Sequence, residues 1–214
     1  MKVKLGYGLD DDLKVMAEIK RALGAREVTL MVDTNHGYGV SDALRLGYGL
    51  EQYNLRWYEE PVAPEDYAGY REMREKLKMP IAGGENEHSL YGFREFIGGG
   101  CVDVAQPDIG SAGGFTACRH IVALAQSHGV QVNPHVWGSG IAQAASLQLL
   151  AALPTTHHAM FPTEPILEYD TSSHPFRRDL ISPAVVQQNG MVTISQGAGL
   201  GIEINREVID KYRC

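Results

Sequence analysis

Asp33, Glu59, Glu85 and Asp108 each follow a short apolar segment, at intervals of 26, 26 and 23 residues, and His135 comes 27 residues further on. The segments in front of them are VTLMV (28–32), LRWY (55–58), PIA (80–82), CVDVA (101–105) and VQV (130–132). They are rich in β-branched or aromatic residues and end in polar clusters, so they read as strands. Between them apolar residues recur at helical spacing: Leu13, Met16 and Leu23; Tyr67, Tyr70, Met73 and Leu77; Phe115, Cys118, Val122 and Ala125. Strands alternating with helices imply βαβ units and a parallel sheet, because a parallel connection needs a crossover long enough to hold a helix. The class is α/β. One polar side chain per β/α unit narrows it further. In a (β/α)8 TIM-type barrel all strand C-termini open onto one face, where groups from several strands converge, whereas an open doubly wound sheet spreads them along an edge.

A full barrel needs eight units and typically about 250 residues. This chain has 214 and opens with MKVKLG, which reads as the end of a strand. The expectation is a barrel truncated at its N-terminus, with the first strand absent. After Pro183 the segment VTISQGAGLGIEI reads as extended structure with no helix following it. The division is therefore residues 1–183 as a partial barrel and 184–214 as a C-terminal extension packed on it.

Composition excludes several functions. With 44% hydrophobic and 21% charged residues the chain can bury a core and is not a disordered segment. A net charge of −7 without a basic run argues against nucleic acid as a partner. No apolar stretch approaches the roughly 18–20 residues of a bilayer span, so no membrane association is expected. Cys101, Cys118 and Cys214 show no C-x-x-C spacing, hence neither a disulfide framework nor a thiolate zinc site is implied, and a cytoplasmic location fits.

Asp33, Glu59 and Glu85 provide three hard oxygen donors and no thiolate, which suits Mg²⁺ better than zinc. Alone, each would read as a solvated loop acid; their shared period reverses that. Glu59 is the better ligand of the Glu59–Glu60 pair, and Glu60 reads equally well as the partner of a basic side chain. Lys2 and Lys4, two apart, share a strand face. Two close ammonium groups depress each other's pKa, and a lysine so depressed can serve as a general base. His135 lies one unit past Asp108, so a carboxylate on the adjacent strand can hold one imidazole nitrogen and orient the other. His36 lies just past Asp33 and Asn35. The remaining histidines read as surface residues, and Cys118 as a buried thiol. Gly197–Gly201 (GAGLG) resembles a nucleotide loop fragment but lacks the helix such a loop needs.

Together K-V-K (2–4), V-D-T-N (32–35), Y-E-E-P (58–61), G-E-N (84–86), P-D (107–108) and N-P-H (133–135) resemble the mandelate racemase subgroup of the enolase superfamily, in order and approximate spacing. The resemblance implies Lys4 as one base with Lys2 beside it at the substrate, Asp33, Glu59 and Glu85 as Mg²⁺ ligands, and His135 with Asp108 as the second base and its orienting acid. It also implies a last-strand acid, Glu168 or its rival Glu164, and a substrate contact at Asn35. Family members carry a capping domain before the barrel; this chain shows none, and 184–214 could pack on such a domain instead. The implied chemistry is abstraction of the proton α to a carboxylate through an enediolate. The outcome it favours is dehydration of an acid sugar to a 2-keto-3-deoxy acid, with racemisation or epimerisation of a 2-hydroxy acid as the alternative, in a full-length form that is a homo-oligomer. Two other classes compete: a non-catalytic barrel, and a zinc hydrolase for which only His36 and His135 could serve as ligands.

Overall fold

The computed structural model describes residues 1–154 and 165–213. Six β/α units follow in order: β1 (Lys2–Lys4) and α1 (Leu9–Leu23), β2 (Met31–Asp33) and α2 (Val40–Leu50), β3 (Tyr58–Glu59) and α3 (Tyr67–Lys76), β4 (Ile81–Gly83) and α4 (Ser89–Gly98), β5 (Val104–Ala105) and α5 (Gly114–Ser127), β6 (Gln131–Val132) and α6 (Gly140–Ala152). All strand pairs are parallel and sequential, β1 through β6. This is the α/β order that the alternating pattern implies.

Strand alternation builds two apolar layers. Val3, Val32, Tyr58, Ile81 and Ala105 face the helices and join Met16, Leu46, Met73, Phe93 and Ile121 in the main core. On the other face Met31, Trp57, Ala82 and Val104 pack together against Ile166. The sheet therefore wraps around an interior filled by side chains. Residue 166 belongs to no strand, yet Asn133, just past β6, brackets its backbone: the side-chain Oδ1 accepts from Ile166 N at 2.8 Å and Nδ2 donates to Ile166 O at 3.0 Å. A side-chain amide thus does for residue 166 what a strand partner would do. Among the described residues no ladder joins β1 to β6.

The strands β2 to β6 start later than their apolar composition implies, and β2, β3 and β4 also end later. Ladder bonds begin only where neighbours overlap, at Lys2 opposite Met31, so 28–30 stay outside the sheet. Asp33 and Glu59 are the last residues of β2 and β3, in register with Lys4 and with each other. The helices α2, α4 and α6 are carried by segments whose spacing gave no expectation. Phe115 departs from the helical-face reading: it is 40% exposed, while Cys118, Ile121, Val122 and Ala125 form the buried face of α5.

Beyond 165 the chain forms α7 (Pro175–Arg178), β7 (Ile181–Ser182), a hairpin of β8 (Gln187–Gln188) and β9 (Met191–Val192), then β10 (Glu203–Ile204) antiparallel to β7. The hairpin turns at Asn189–Gly190, both at positive φ, the pair such a tight turn favours. A helix does follow, α8 (Arg206–Lys211), contrary to the extended reading of the tail. Val208 on α8 packs with Leu180 and Ile181, and Asn205 caps its start, so the helix serves packing and does not open from the Gly197–Gly201 segment.

Candidate active site

The strand ends open on a cavity of about 960 Å³ lined by Lys2, Lys4, Asn35, Glu85, His135 and Glu168 among others. Asp33 and Glu59 are fully buried, in contact with the cavity-lining Lys2 and Lys4. One carboxylate oxygen from each of Asp33, Glu59 and Glu85 lies within 4.8 Å of the other two. The Oε2 of Glu85 is buried and makes no hydrogen bond, although His135 Nε2 stands 3.3 Å away. A buried carboxylate oxygen without a hydrogen bond is costly, and three hard donors facing one point fit a divalent cation of the Mg²⁺ kind.

The two lysines reach this group from β1. Lys2 Nζ donates to Glu59 Oε1 at 2.5 Å, lies 3.4 Å from Asp33 Oδ2 and pairs with Glu168. Burial alone would lower its pKa, but Glu59, Glu168 and Asp33 outweigh burial and raise it. Mutual depression of the lysines therefore does not describe Lys2, which three carboxylates hold as a cation. Lys4 pairs with Asp33 and donates to Asn35 Oδ1 at 2.9 Å; about half of its side chain is exposed to the cavity. Asp33 is pushed up by burial and held down by both ammonium groups, with a net lowering. Glu59 is raised, chiefly by burial, with Asp33 and Glu168 adding to it against Lys2; Glu85 is raised by burial too.

His135 reaches the group from the loop after β6. Its Nδ1 is 2.8 Å from Asp108 Oδ2, and its Nε2 is 3.3 Å from Glu85 Oε2 and 3.7 Å from Glu168 Oε2. Burial works to lower its pKa, but the Asp108 contact with the Glu168 and Glu85 charges raises it. Glu168 sits between Lys2 and His135 and accepts from Val136 N at 3.2 Å. Its rival Glu164 lies outside the described residues.

Asn35 binds Asp33 Oδ1 through its backbone N–H at 2.8 Å and holds Lys4 with its side chain. It adopts φ 41°, as His36 does φ 50° and Glu60 φ 43°. These three meet: the buried Glu60 lies 3.3 Å from His36 Nδ1 and accepts from Asn35 Nδ2 at 3.4 Å and Asn86 Nδ2 at 2.7 Å. Glu60 thus ties the β2, β3 and β4 loops together, and the basic side chain beside it is His36.

Several contributors escape a reading by motif. Trp57 donates from Nε1 to Glu59 Oε2 at 2.8 Å; standing just before β3 and two residues before Glu59, it falls on the acid's face, a signal the alternation carries. Gln106 lines the cavity with a buried Oε1 that has no hydrogen-bond partner. Trp137, 72% exposed, stands at the cavity with Nε1 on Asp170 Oδ2 at 3.0 Å.

Residues 1–208 match the family described as Enolase C-terminal domain-like. D-galactarolactone cycloisomerase of Agrobacterium fabrum is 42% identical over 212 residues, which are 99% of this chain and 56% of that protein. The 3,6-anhydro-D-galactonate cycloisomerase of Zobellia galactanivorans superposes with a TM-score of 0.90 at 37% identity, over 99% of this chain and 57% of its own. L-talarate dehydratase of Polaromonas sp. JS666, whose structure holds Mg and L-glucarate, superposes with a TM-score of 0.84 at 26% identity, over 98% of this chain and 54% of its own. The chain thus spans little more than half the length of these relatives.

Proposed function

The chain belongs to the Enolase C-terminal domain-like family, and on that premise we propose that it abstracts the proton α to the carboxylate of an acid sugar and expels the β-oxygen. The observation that carries this reading is the pair of nitrogen bases at two different members of the acidic trio: Lys4 at Asp33 and His135 at Glu85. With the substrate between them, one group can take the α-proton while the other delivers a proton to the α-carbon or to the leaving β-oxygen.

Asp33, Glu59 and Glu85 would hold Mg²⁺, which when bound supplies positive charge where the substrate carboxylate gains a second negative charge. Lys2 remains cationic and adds to that stabilisation, while Glu168, between Lys2 and His135, is placed to accept a hydrogen bond from the substrate. Lys4, once its ammonium group has given up a proton, takes the α-proton at Nζ. Asp108 fixes the His135 tautomer with Nδ1–H toward the carboxylate, leaving Nε2 to exchange a proton with the substrate. Protonated His135 gives that proton to the leaving oxygen. If the oxygen leaves as water, the product is a 2-keto-3-deoxy acid; if it belongs to a ring, the ring opens and mass is conserved. The dehydratase superposition supports the first outcome, and the two cycloisomerases, at 42% and 37% identity, favour the second reading.

Incubation of the chain with Mg²⁺ and acid sugars or their lactones in D₂O tests both. Deuterium is expected at the α-carbon of recovered substrate and at the former β-carbon of the product, whose α-carbon has become the keto carbon; apart from that label the product is either lighter by one water or of unchanged mass. No exchange on any such acid, with Mg²⁺ bound, would overturn the proposal.

A further inference from the structure

Residues 165–172 bring Glu168 into the cavity without forming a strand, so no backbone ladder sets their distance from the loop that carries His135. Side chains set it. Asn133 brackets Ile166, Val136 N donates to Glu168, and Trp137 Nε1 donates to Asp170. The remaining tie comes from outside the cavity. Arg177 on α7 is 5% exposed, and each of its three nitrogens is engaged. Nε donates to Gly138 O at 3.2 Å, and Nη1 donates to Ser172 O at 3.2 Å and Ser172 Oγ at 2.9 Å. Nη2 lies 2.9 Å from Asp170 Oδ2, the oxygen that Trp137 also contacts. Gly138 is three residues past His135, and Asp170 is two past Glu168.

The fit of α7 depends on a second residue. A Cβ added at Gly140, the first residue of α6, would stand 2.6 Å from Arg177 O and 2.8 Å from Ile181 Cδ1. Only glycine lets the Arg177 backbone come this close.

We propose that Arg177 is a positioning residue that clamps the 136–138 loop to residues 170–172 and so sets the placement of His135 relative to Glu168. The proposal rests on the reading of those two as working groups, but its geometry stands without turnover. A planar guanidinium can span Gly138 O, Asp170 and Ser172 at once; an ammonium on a flexible stem cannot. Lysine therefore keeps the charge and loses the clamp.

Hydrogen exchange on the ¹⁵N-labelled 214-residue chain tests it, with Arg177→Lys, Arg177→Met and Gly140→Ala as variants. The Val136 amide and the Trp137 indole N–H are expected to exchange about tenfold faster in each, by local opening, while the Val32 and Tyr58 amides inside the sheet stay unchanged. The Trp137 Nε1 resonance should move toward its solvent-exposed position in all three. Unchanged exchange at Val136 and Trp137 in Arg177→Lys would overturn the proposal, as would equal acceleration through the sheet, which marks a general stabiliser. Gly140→Ala keeps Arg177 itself, so it decides the matter if the arginine variants fail to fold. None of these readouts requires substrate, so failure of the catalytic reading leaves them interpretable; if turnover is present, Arg177→Lys should lower kcat with KM little changed.

Discussion

Asp108 grips His135 through a contact of 2.8 Å between its Oδ2 and the ring Nδ1. Asp108 sits three residues past β5 and His135 three past β6, so two adjacent strands deliver them to one point. Asp108 also accepts from Gly110 N at 2.7 Å on its other oxygen, which holds the carboxylate in place toward the histidine.

In the metal-free chain His135 should titrate above its ordinary value of 6.5. Burial opposes this, and the Asp108 hydrogen bond with the Glu168 and Glu85 charges prevails. A raised folded-state pKa means that protonated His135 stabilises the fold fully below the unfolded pKa, and that this stabilisation is lost as pH rises through the folded one. Asp108, lowered against its burial mainly by His135, contributes above its unfolded pKa and loses that contribution as pH falls through its folded value. Imidazole NMR should show Asp108→Asn moving the His135 titration downward; no movement would remove Asp108 from the pair.

The two bases should divide the faces of the substrate. Lys4→Met is expected to stop deuterium exchange from one stereochemical face and His135→Asn from the other, each by about 10²–10⁴-fold. Equal loss of both faces in each variant would refute the two-base arrangement.

Gly6 follows β1 at φ 102°, and a Cβ there would stand 2.8 Å from the carbonyl oxygen of Thr34, next to Asp33. The turn is held by the buried Asp12, which accepts from Gly6 N at 2.8 Å and Tyr7 N at 3.2 Å. Gly6→Ala should cost about 1–3 kcal/mol in urea unfolding, through backbone strain and the clash together. A cost near zero would show that the β1–β2 loops are not tightly coupled.

Much of this site was legible from the period of Asp33, Glu59, Glu85, Asp108 and His135, because one functional group per β/α unit is a topological signal that survives without coordinates. Lys2 and Lys4 were legible as a same-face pair, but not the charge state of Lys2, which depends on carboxylates from β2, β3 and residue 168 meeting in space. Arg177 was invisible for a related reason: all its partners lie on irregular backbone at positions 138, 170 and 172, where no period applies. Strand limits were read early because an acid at the end of a run looks like a turn, whereas Asp33 and Glu59 still sit in the ladder.

Among the described residues β1 and β6 share no ladder, and each leaves a row of backbone groups without a strand partner. Open edges associate. The chain by itself is expected to elute as oligomers in size-exclusion chromatography; a monodisperse, cooperatively melting monomer would show that the 165–172 segment and its side-chain ties close the sheet adequately.

The most direct test is calorimetric titration of the 214-residue chain with Mg²⁺. The account predicts saturable binding of one ion per chain, strongly weakened by Glu85→Gln, whose buried Oε2 has no hydrogen-bond partner. No saturable binding, or binding by Glu85→Gln equal to that of the unaltered chain, would contradict it.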